Sequence, residues 1–222
     1  MNIIMLGAPG AGKGTIAAQM EERYSFPHVS SGDIFRENIK NETELGKVAK
    51  DYIYKGKLVP DDITINMMIA TLNSDKCKNG FILDGFPRTL VQAEGLDKAL
   101  EENGKKVELV ILVDATGDQI VERLTGRRVC EKCGATYHVV NMPPKTSGIC
   151  DKCGGEVVQR KDDTKEVILD RLKTYDEQTK PLIDYYKSKG ILKIVPGFTE
   201  SQEERLKMID AMVKGDWATP NN

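Results

Sequence analysis

Short hydrophobic runs alternate with segments of helical spacing along most of the chain. Each run is bounded by turn residues, and such runs are typical of strands buried on both faces of a parallel sheet. The predicted strands are Asn2–Leu6, His28–Ser30, Phe81–Asp84, 107–113 and 191–195.

Between these strands, apolar residues recur every three or four positions, as on the buried face of an amphipathic helix. Some of these segments begin with residues that favour helix starts, such as serine before Gly-Asp or proline before two acidic residues. The predicted helices cover 13–24, 31–39, 60–69, 89–103, 119–124, 165–187 and 203–213. Strands that alternate with helices indicate an α/β fold with a parallel sheet covered by helices on both faces.

One segment, 127–163, interrupts this alternation. It contains four cysteines, the pair Pro143-Pro144 and several glycines, and its apolar residues show little periodicity. We therefore interpret the segment as an insertion into the α/β fold rather than as part of the sheet.

The overall composition excludes several classes of protein. Of 222 residues, 40% are hydrophobic, which is enough for a packed core and excludes wholesale disorder. The formal net charge of −2 argues against a protein that mainly coats nucleic acid or an anionic membrane. No apolar run approaches the roughly 20 residues of a membrane-spanning helix, and the first residues lack a basic leader. We therefore expect a soluble, cytoplasmic protein.

Four of the five cysteines form two Cys-x-x-Cys pairs, Cys130 with Cys133 and Cys150 with Cys153. In a secreted domain they would be candidates for disulfides, but in a reducing compartment two such pairs indicate a metal site. Four thiolates close a tetrahedron around zinc and leave no coordination position open, so the predicted zinc ion is structural. A zinc ribbon that binds nucleic acid is an alternative, which the nearly balanced charge of the insertion disfavours.

A glycine-rich loop, GAPGAGKGT at 7–15, lies where the first predicted strand leads into the first predicted helix. Glycines let the backbone wrap closely around an anion, so that N–H groups and the positive end of the helix meet phosphate oxygens. Lys13 adds a full charge for the β- and γ-phosphates. The general motif has Ser or Thr directly after the lysine, whereas Gly14 stands here before Thr15. The usual hydroxyl contact to magnesium is therefore open to question at this position.

A carboxylate and several arginines complete the candidate chemistry. Asp84 ends a buried strand, where it would face a nucleotide crevice and hold magnesium or its water shell. Arg88 follows shortly after, in position to meet a phosphate. Guanidinium groups suit the spread negative charge of a phosphoryl group in transfer. The candidate arginines are Arg36, Arg88, Arg123, Arg127, Arg128, Arg160 and Arg171.

Together these segments resemble the adenylate kinase family. The matching motifs, in order, are GAPGAGKGT, SSGDIFR, GKLVPD, FILDGFPRT, GRRVC, RKDD and a late Gly-Phe step, and they extend over nearly the whole chain. Gly14 is itself part of that family's pattern. The insertion resembles the long lid of bacterial adenylate kinases in its zinc-carrying version.

The resemblance implies a P-loop NTPase-type fold, with a five-stranded parallel sheet flanked by helices, a monophosphate-binding insert and a zinc-ribbon-like lid. The implied core is 1–29, 60–126 and 164–222, the AMP-binding arm is 30–59, and the lid is 127–163. The implied reaction is reversible, magnesium-dependent phosphoryl transfer from ATP to AMP, which gives two ADP. The implied cofactors are Mg²⁺ with ATP and structural Zn²⁺, and the implied protein is a monomer that binds neither nucleic acid nor membrane.

The resemblance also assigns roles to individual residues. The residues implied to bind ATP are Gly10, Ala11, Gly12, Lys13, Gly14, Thr15, Arg127, Thr136, Tyr137, Phe198 and Thr199. Those implied to bind AMP are Ser31, Arg36, Lys57, Leu58, Val59, Gly85, Phe86, Pro87, Arg88, Gln92, Arg160 and Arg171. Those implied in catalysis are Lys13, Asp84, Arg88, Arg123, Arg127, Arg160 and Arg171, with Asp162 and Asp163 latching the lid or fixing nearby groups.

Two other functions compete with this interpretation. A kinase of the same fold could act on another nucleoside monophosphate, but the long lid and Gln92 favour AMP, because an amide can both donate to and accept from adenine. A nucleotide-gated binding module would use the phosphate loop without transfer, but it does not explain a second set of acceptor-site residues.

Overall fold

A parallel β-sheet forms the centre of the protein, which we describe from a computed structural model covering residues 1–198 and 201–216. The strands of these residues are β1 (Asn2–Leu6), β2 (His28–Ser30), β3 (Phe81–Asp84), β4 (Leu109–Asp114), β5 (Arg127–Cys130), β6 (Thr136–His138), β7 (Val157–Val158) and β8 (Leu192–Pro196). Five of them pair in the order β2-β3-β1-β4-β8, all parallel. This confirms the predicted five-stranded parallel sheet.

Helices follow most strands and cover both faces of the sheet. They are α1 (Lys13–Tyr24), α2 (Ser31–Lys40), α3 (Glu44–Ile53), α4 (Asp61–Leu72), α5 (Leu90–Glu101), α6 (Gly117–Gly126), α7 (Lys165–Thr174), α8 (Leu182–Ser188) and α9 (Gln202–Lys214). Several begin at a hydroxyl side chain that accepts a hydrogen bond from a backbone N–H in the first turn, as Ser30 does at α2 and Thr89 at α5.

Two helical predictions differ from the structure. No helix was predicted over 44–53, where the structure has α3 with Thr43 as its N-cap. The prediction of one continuous helix over 165–187 was wrong, because a turn of π-helix at Tyr175–Thr179 separates α7 from α8. Pro181 explains the break, since proline has no N–H to continue the helical hydrogen bonds.

The core consists of one apolar layer on each face of the sheet. Alternate residues of β1 divide between them, because successive side chains of a strand point to opposite faces. Ile4 and Leu6 belong to the layer covered by α4, α5 and α8, and Ile3 and Met5 belong to the layer covered by α1 and α9. The central strands are therefore held by packing on both faces of the sheet.

The insertion forms a small sheet of its own. Its strands pair antiparallel in the order β6-β5-β7, and Cys130, Tyr137 and Cys150 form its small buried hydrophobic cluster. No helix among the described residues is long and apolar enough to cross a membrane.

The carboxyl ends of the parallel strands meet at one edge of the central sheet, where the candidate residues lie. β1 ends at the glycine-rich loop, and the register pairs Met5 and Ser30 with Asp84 on either side. The topology thus places the phosphate loop, the strand-end carboxylate and the start of α2 side by side.

The two-layer core predicts a large difference between two isoleucines on paired strands. Ile111 of β4 is fully buried, whereas Ile194 of the edge strand β8 is 53% exposed. We expect Ile111→Ala to lower the free energy of unfolding by about 2–5 kcal/mol, because it leaves a cavity. Ile194→Ala should cost about 1 kcal/mol or less, the range of strand propensity. Urea unfolding measures both values, and equal losses would contradict this description of the core.

Candidate active site

The glycine-rich loop turns sharply between β1 and α1. Gly7, Gly10 and Gly12 have φ angles of 139°, 83° and 108°, which side-chain-bearing residues rarely adopt. Gly10 also lies against the side chain of Leu124, where a Cβ atom would come within 2.8 Å of it. The loop shape therefore depends on glycine at these positions, and it leads directly into the positive end of α1.

Lys13 folds back over the loop that precedes it. Its Nζ donates to the carbonyl oxygens of Gly7 and Ala8 at 2.7 and 2.8 Å. Burial lowers the pKa of Lys13 to about 8, although the nearby Asp84 carboxylate acts in the opposite direction. The ammonium group is thus mostly protonated at neutral pH and is held at the mouth of the loop.

Asp84 lies beside the start of α1. A Cβ atom at Gly14 would approach Asp84 Oδ2 to 3.2 Å, so the absence of a side chain after Lys13 leaves room for this carboxylate. Thr15, the next hydroxyl, is exposed. Burial alone would raise the pKa of Asp84, but His28 and Lys13 hold it below its usual value.

Sequence analysis gave no site role to His28, whose Nε2 lies 3.5 Å from Asp84 Oδ2. Burial would lower the pKa of His28, but Asp84 outweighs this effect and raises it. The sequence around His28 does not indicate this contact, because only the pairing of β2 with β3 brings His28 and Asp84 together.

Most of the residues assigned to AMP line one cavity. They are Ser31, Arg36, Lys57, Leu58, Val59, Gly85, Arg88, Gln92 and Arg171. The cavity is also lined by residues for which no contact with AMP was predicted: Gly32, Phe35, Ile53, Gly56, Thr64 and Asp162, the last of which was expected to latch the lid or fix nearby groups. Three assigned residues are not part of the lining: Phe86 and Pro87 are buried, Phe86 in the core layer covered by α5, and Arg160 belongs to the insertion and lies nearest Asp33 of α2.

The Gly85 carbonyl organises the entrance to this cavity. It accepts from the Ser31 hydroxyl at 2.6 Å and from Arg88 Nε at 2.8 Å. The two terminal nitrogens of Arg88 make no hydrogen bond that would compete with a ligand among the described residues. Burial, together with the neighbouring Arg171, lowers the pKa of Arg88 to about 10. The group therefore stays charged and favours an anion.

A second group of arginines joins the insertion to α7 through buried carboxylates. Arg127 makes a bidentate contact with Asp163, in which its Nε and a terminal nitrogen donate to the two carboxylate oxygens at 2.8 and 2.7 Å. Arg171 reaches Asp163 at 3.0 Å and Asp162 at 3.1 Å. Arg160 lies 3.7 Å from Asp33 of α2, and burial lowers its pKa to about 9. These contacts bring arginines from both ends of the insertion to the edge of the cavity.

Arg123 lies on the phosphate-loop side of the site. Its guanidinium carbon is 5.2 Å from the centre of the Phe198 ring, and its terminal nitrogens lie close to Gly12. The neighbouring Gly197 receives a hydrogen bond from Arg205, a buried arginine that sequence analysis did not single out. Thr199, which was assigned to ATP, lies outside the described residues.

Comparison with known proteins agrees with this arrangement. The model of a family described as adenylate kinase matches residues 5–191. The adenylate kinase of Clostridium tetani is 56% identical over 203 residues, which cover 91% of this chain and 94% of that protein. The chain belongs to the adenylate kinase family. The adenylate kinase of Caldicellulosiruptor bescii is 53% identical over 212 residues, and that of Finegoldia magna is 49% identical over 215 residues; these matches cover 96–97% of this chain and 99–100% of those proteins.

The four cysteines of this adenylate kinase family member converge at the tip of the insertion. Their sulfur atoms all lie within 4.8 Å of one another, with 3.5 Å between Cys130 and Cys153 and 3.6 Å between Cys133 and Cys150. A tetrahedral zinc site with Zn–S bonds of about 2.3 Å requires sulfur separations of about 3.8 Å. The sulfur atoms therefore fit a zinc ion.

Each cysteine pair lies on a turn that ends in glycine. Gly134 and Gly154 follow the pairs with φ angles of 73° and 68°, and their N–H groups donate to the carbonyls of Cys130 and Cys150 at 3.0 and 2.9 Å. The turn thus depends on a left-handed residue that glycine provides.

Thr136 and Tyr137, assigned to ATP by resemblance, belong to β6 of the insertion. Thr136 is exposed, whereas Tyr137 is 7% exposed. The Tyr137 hydroxyl lies 3.3 Å from the Cys150 sulfur and accepts from the Asp151 N–H at 2.8 Å. The structure therefore places the polar end of Tyr137 beside the cysteine cluster.

The contacts of Asp163 predict a marked loss of stability when its charge is removed. Asp163 is fully buried between two guanidinium groups, so Asp163→Asn leaves them without their shared counter-charge. We expect this variant to lower the free energy of unfolding by about 3 kcal/mol or more. Asp176→Asn is the matched control, since Asp176 is 63% exposed and lies 3.7 Å from Lys180. It should change stability by less than about 0.5 kcal/mol. Similar melting temperatures for the two variants would show that the buried contacts are not stabilising.

Proposed function

We propose that this chain catalyses reversible phosphoryl transfer from Mg·ATP to AMP, which gives two ADP. The observation that carries the proposal is that one cleft holds two separate sets of phosphate-binding groups. The glycine-rich loop with Lys13 forms the first set, and the cavity lined by Arg36, Arg88 and Arg171 forms the second. A module that only bound one nucleotide would need only the first set.

The proposed reaction uses no nucleophile from the protein. An oxygen of the AMP phosphate attacks the γ-phosphorus of ATP, a new P–O bond forms, and the bond to the β-phosphate oxygen breaks to release ADP. The protein contributes position and charge: the loop holds the donor phosphates, and Arg88 orients the acceptor phosphate. Asp84 is the carboxylate that would hold magnesium or its water shell, and the ion bound with ATP would offset phosphate charge.

We assign the remaining residues by the resemblance to the adenylate kinase family. Gly10, Ala11, Gly12, Gly14 and Thr15 would surround the ATP phosphates, and Thr136, Tyr137, Phe198 and Thr199 would bind the rest of ATP. Ser31, Lys57, Leu58, Val59, Gly85 and Gln92 would enclose AMP, while Phe86 and Pro87, which are buried, would support the segment between Gly85 and Arg88. Arg123, Arg127, Arg160 and Arg171 would stabilise the transferring phosphoryl group, which spreads negative charge over its oxygens.

We further propose that 30–59 and 127–163 move against a core of 1–29, 60–126 and 164–222. Contacts between the two inserts support closure over the cleft: Lys40 Nζ donates to the Glu131 carbonyl at 3.1 Å, and Arg160 approaches Asp33. Closure would exclude water, which otherwise competes with AMP for the phosphoryl group. A monomeric state and a cytoplasmic location stay predictions.

The proposed reaction is tested by measuring ADP formed from Mg·ATP with AMP, GMP, CMP or UMP. We expect AMP to be the preferred acceptor. Lys13→Met should lower kcat by about 100-fold or more while the protein stays folded, because Lys13 acts on phosphate charge. Lys47→Met is the control, since Lys47 is exposed on α3 and pairs with Glu44. No ADP from any monophosphate would refute the proposal, and an unchanged rate for Lys13→Met would refute its phosphate-loop part.

We propose that the cysteine cluster holds a structural zinc ion. About 37 residues of insertion bury too little apolar surface to fold stably without such a link. The residues of the insertion that lie near the cleft, Arg127 and Arg160, do not coordinate the metal. The zinc ion would therefore support the fold of the lid without taking part in phosphoryl transfer.

Metal removal tests this proposal. Structural zinc in finger peptides contributes roughly 10–16 kcal/mol of binding free energy, and part of it should appear here as stability of the insertion. Chelation should lower the melting temperature and expose 127–163 to protease, and zinc but not magnesium should restore both. After the chelator is removed and magnesium is supplied in excess, transfer should partly survive below the new melting temperature. The proposal would be contradicted if the purified protein did not contain about one tightly bound metal ion per chain. Complete loss of transfer in metal-free protein that is still folded would also contradict it.

A further inference from the structure

Two partners of opposite hydrogen-bonding character hold the side chain of Gln92. Its Oε1 accepts from the Arg88 backbone N–H at 2.8 Å, and its Nε2 donates to Asp61 Oδ1 at 2.8 Å. A backbone N–H can only donate and a carboxylate can only accept, so both contacts agree on the orientation of the amide. Turning the amide over would place donor against donor and acceptor against acceptor.

Asp61 is fixed in turn by a second hydrogen bond. The Thr89 hydroxyl donates to the same Oδ1 at 3.0 Å, and the Thr89 oxygen accepts from the Gln92 backbone N–H at 3.1 Å. Asp61 is the first residue of α4, and Thr89 caps α5. The network therefore joins the starts of two packed helices, which limits the freedom of each member.

The Gln92 amide keeps one donor and one acceptor position for a ligand. Nε2 carries two hydrogens and Oε1 two lone pairs, and Asp61 and Arg88 use one of each. Gln92 is 1% exposed and lines the same cavity as Ser31 and Val59. A group in that cavity thus meets an amide whose donor and acceptor ends are already assigned.

Purine bases differ in the pattern that such an amide would read. Adenine carries an amino donor at position 6 and an acceptor at N1, whereas hypoxanthine and guanine carry an acceptor at O6 and a donor at N1. An amide free to turn over matches either pattern, but a fixed amide matches one and leaves the other with unpaired buried groups.

We propose that Asp61 is a specificity-determining residue, which fixes the Gln92 amide so that the acceptor site selects 6-amino purines over 6-oxo purines. The proposal rests on the proposed function, in which this cavity binds the base of the monophosphate. With AMP bound, Gln92 Oε1 accepts from the 6-amino group and Nε2 donates to N1. Asp61 acts through Gln92 and does not contact the base, so it is a positioning residue.

The test compares AMP with inosine monophosphate (IMP) as acceptors. These two differ only in the donor and acceptor at positions 6 and 1, whereas guanosine monophosphate adds a 2-amino group with its own steric effect. The measured quantity is the ratio of kcat/KM for AMP to kcat/KM for IMP at saturating Mg·ATP. We expect Asp61→Ala to lower this ratio by about 10–100-fold, the effect of an unmade charged hydrogen bond. Asp61→Asn, which can present either an oxygen or an NH₂ group, should give an intermediate ratio.

Asp62→Ala is the matched control, because Asp62 lies in the same first turn of α4 but is exposed. It should leave the ratio unchanged. If Asp61→Ala does not fold, Asp61→Ser replaces it, since serine keeps a polar group at the helix start but is too short to reach Gln92. A folded Asp61 variant that lowers both kcat/KM values equally overturns the proposal, because that is the effect of a purely structural residue. Wild-type protein that does not phosphorylate AMP would instead refute the proposed function.

Discussion

Repulsion between arginines is the constraint on which the arrangement of the cleft depends. Six guanidinium groups of the described residues surround it, and the charges of Arg36, Arg127 and Arg171 each disfavour the charged form of a neighbouring arginine. Carboxylates offset part of this charge, with Asp163 and Asp162 placed between Arg127 and Arg171. Arg88 has no such partner within ion-pair distance among the described residues, and the more distant Asp84 and Asp162 offset its charge only in part, so an anion in the cavity would be its first close counter-charge.

The same constraint explains why the acids and arginines come from different parts of the chain. Arg127 and Arg160 lie at the two ends of the insertion, Asp33 belongs to α2, and Arg171 belongs to α7. The Arg160–Asp33 pair therefore joins the insertion to α2, and the Arg171–Asp163 pair joins the insertion to α7. Lys40 of α2 adds a hydrogen bond to the Glu131 carbonyl of the insertion.

The sequence predicts the fold better than it predicts the partners of the site. Buried strands and glycine turns carry local signals, so β1, α1 and the phosphate loop could be placed from spacing alone. Asp61 and His28 carried no such signal, because an acidic residue in a first helical turn and a histidine in a short strand are common. Their partners, Gln92 and Asp84, become neighbours only through the packing of α4 on α5 and the pairing of β2 with β3. The resemblance implied that Tyr137 binds ATP, but only the structure shows that the Tyr137 hydroxyl lies beside Cys150.

These contacts place the groups proposed to select the base on the core, and many of the groups proposed to stabilise charge on the inserts. Asp61 and Gln92 belong to α4 and α5, which pack on the central sheet, and Thr89 caps α5, so the proposed movement of 30–59 and 127–163 would leave the network that orients the amide intact. The charges that surround the phosphates come largely from the inserts and their borders. Selection of a base requires one fixed pattern of donors and acceptors, whereas charge stabilisation tolerates approach and withdrawal. A fold that placed the amide on an insert would lose base selectivity each time the cleft opened, and placing it on the core avoids that loss.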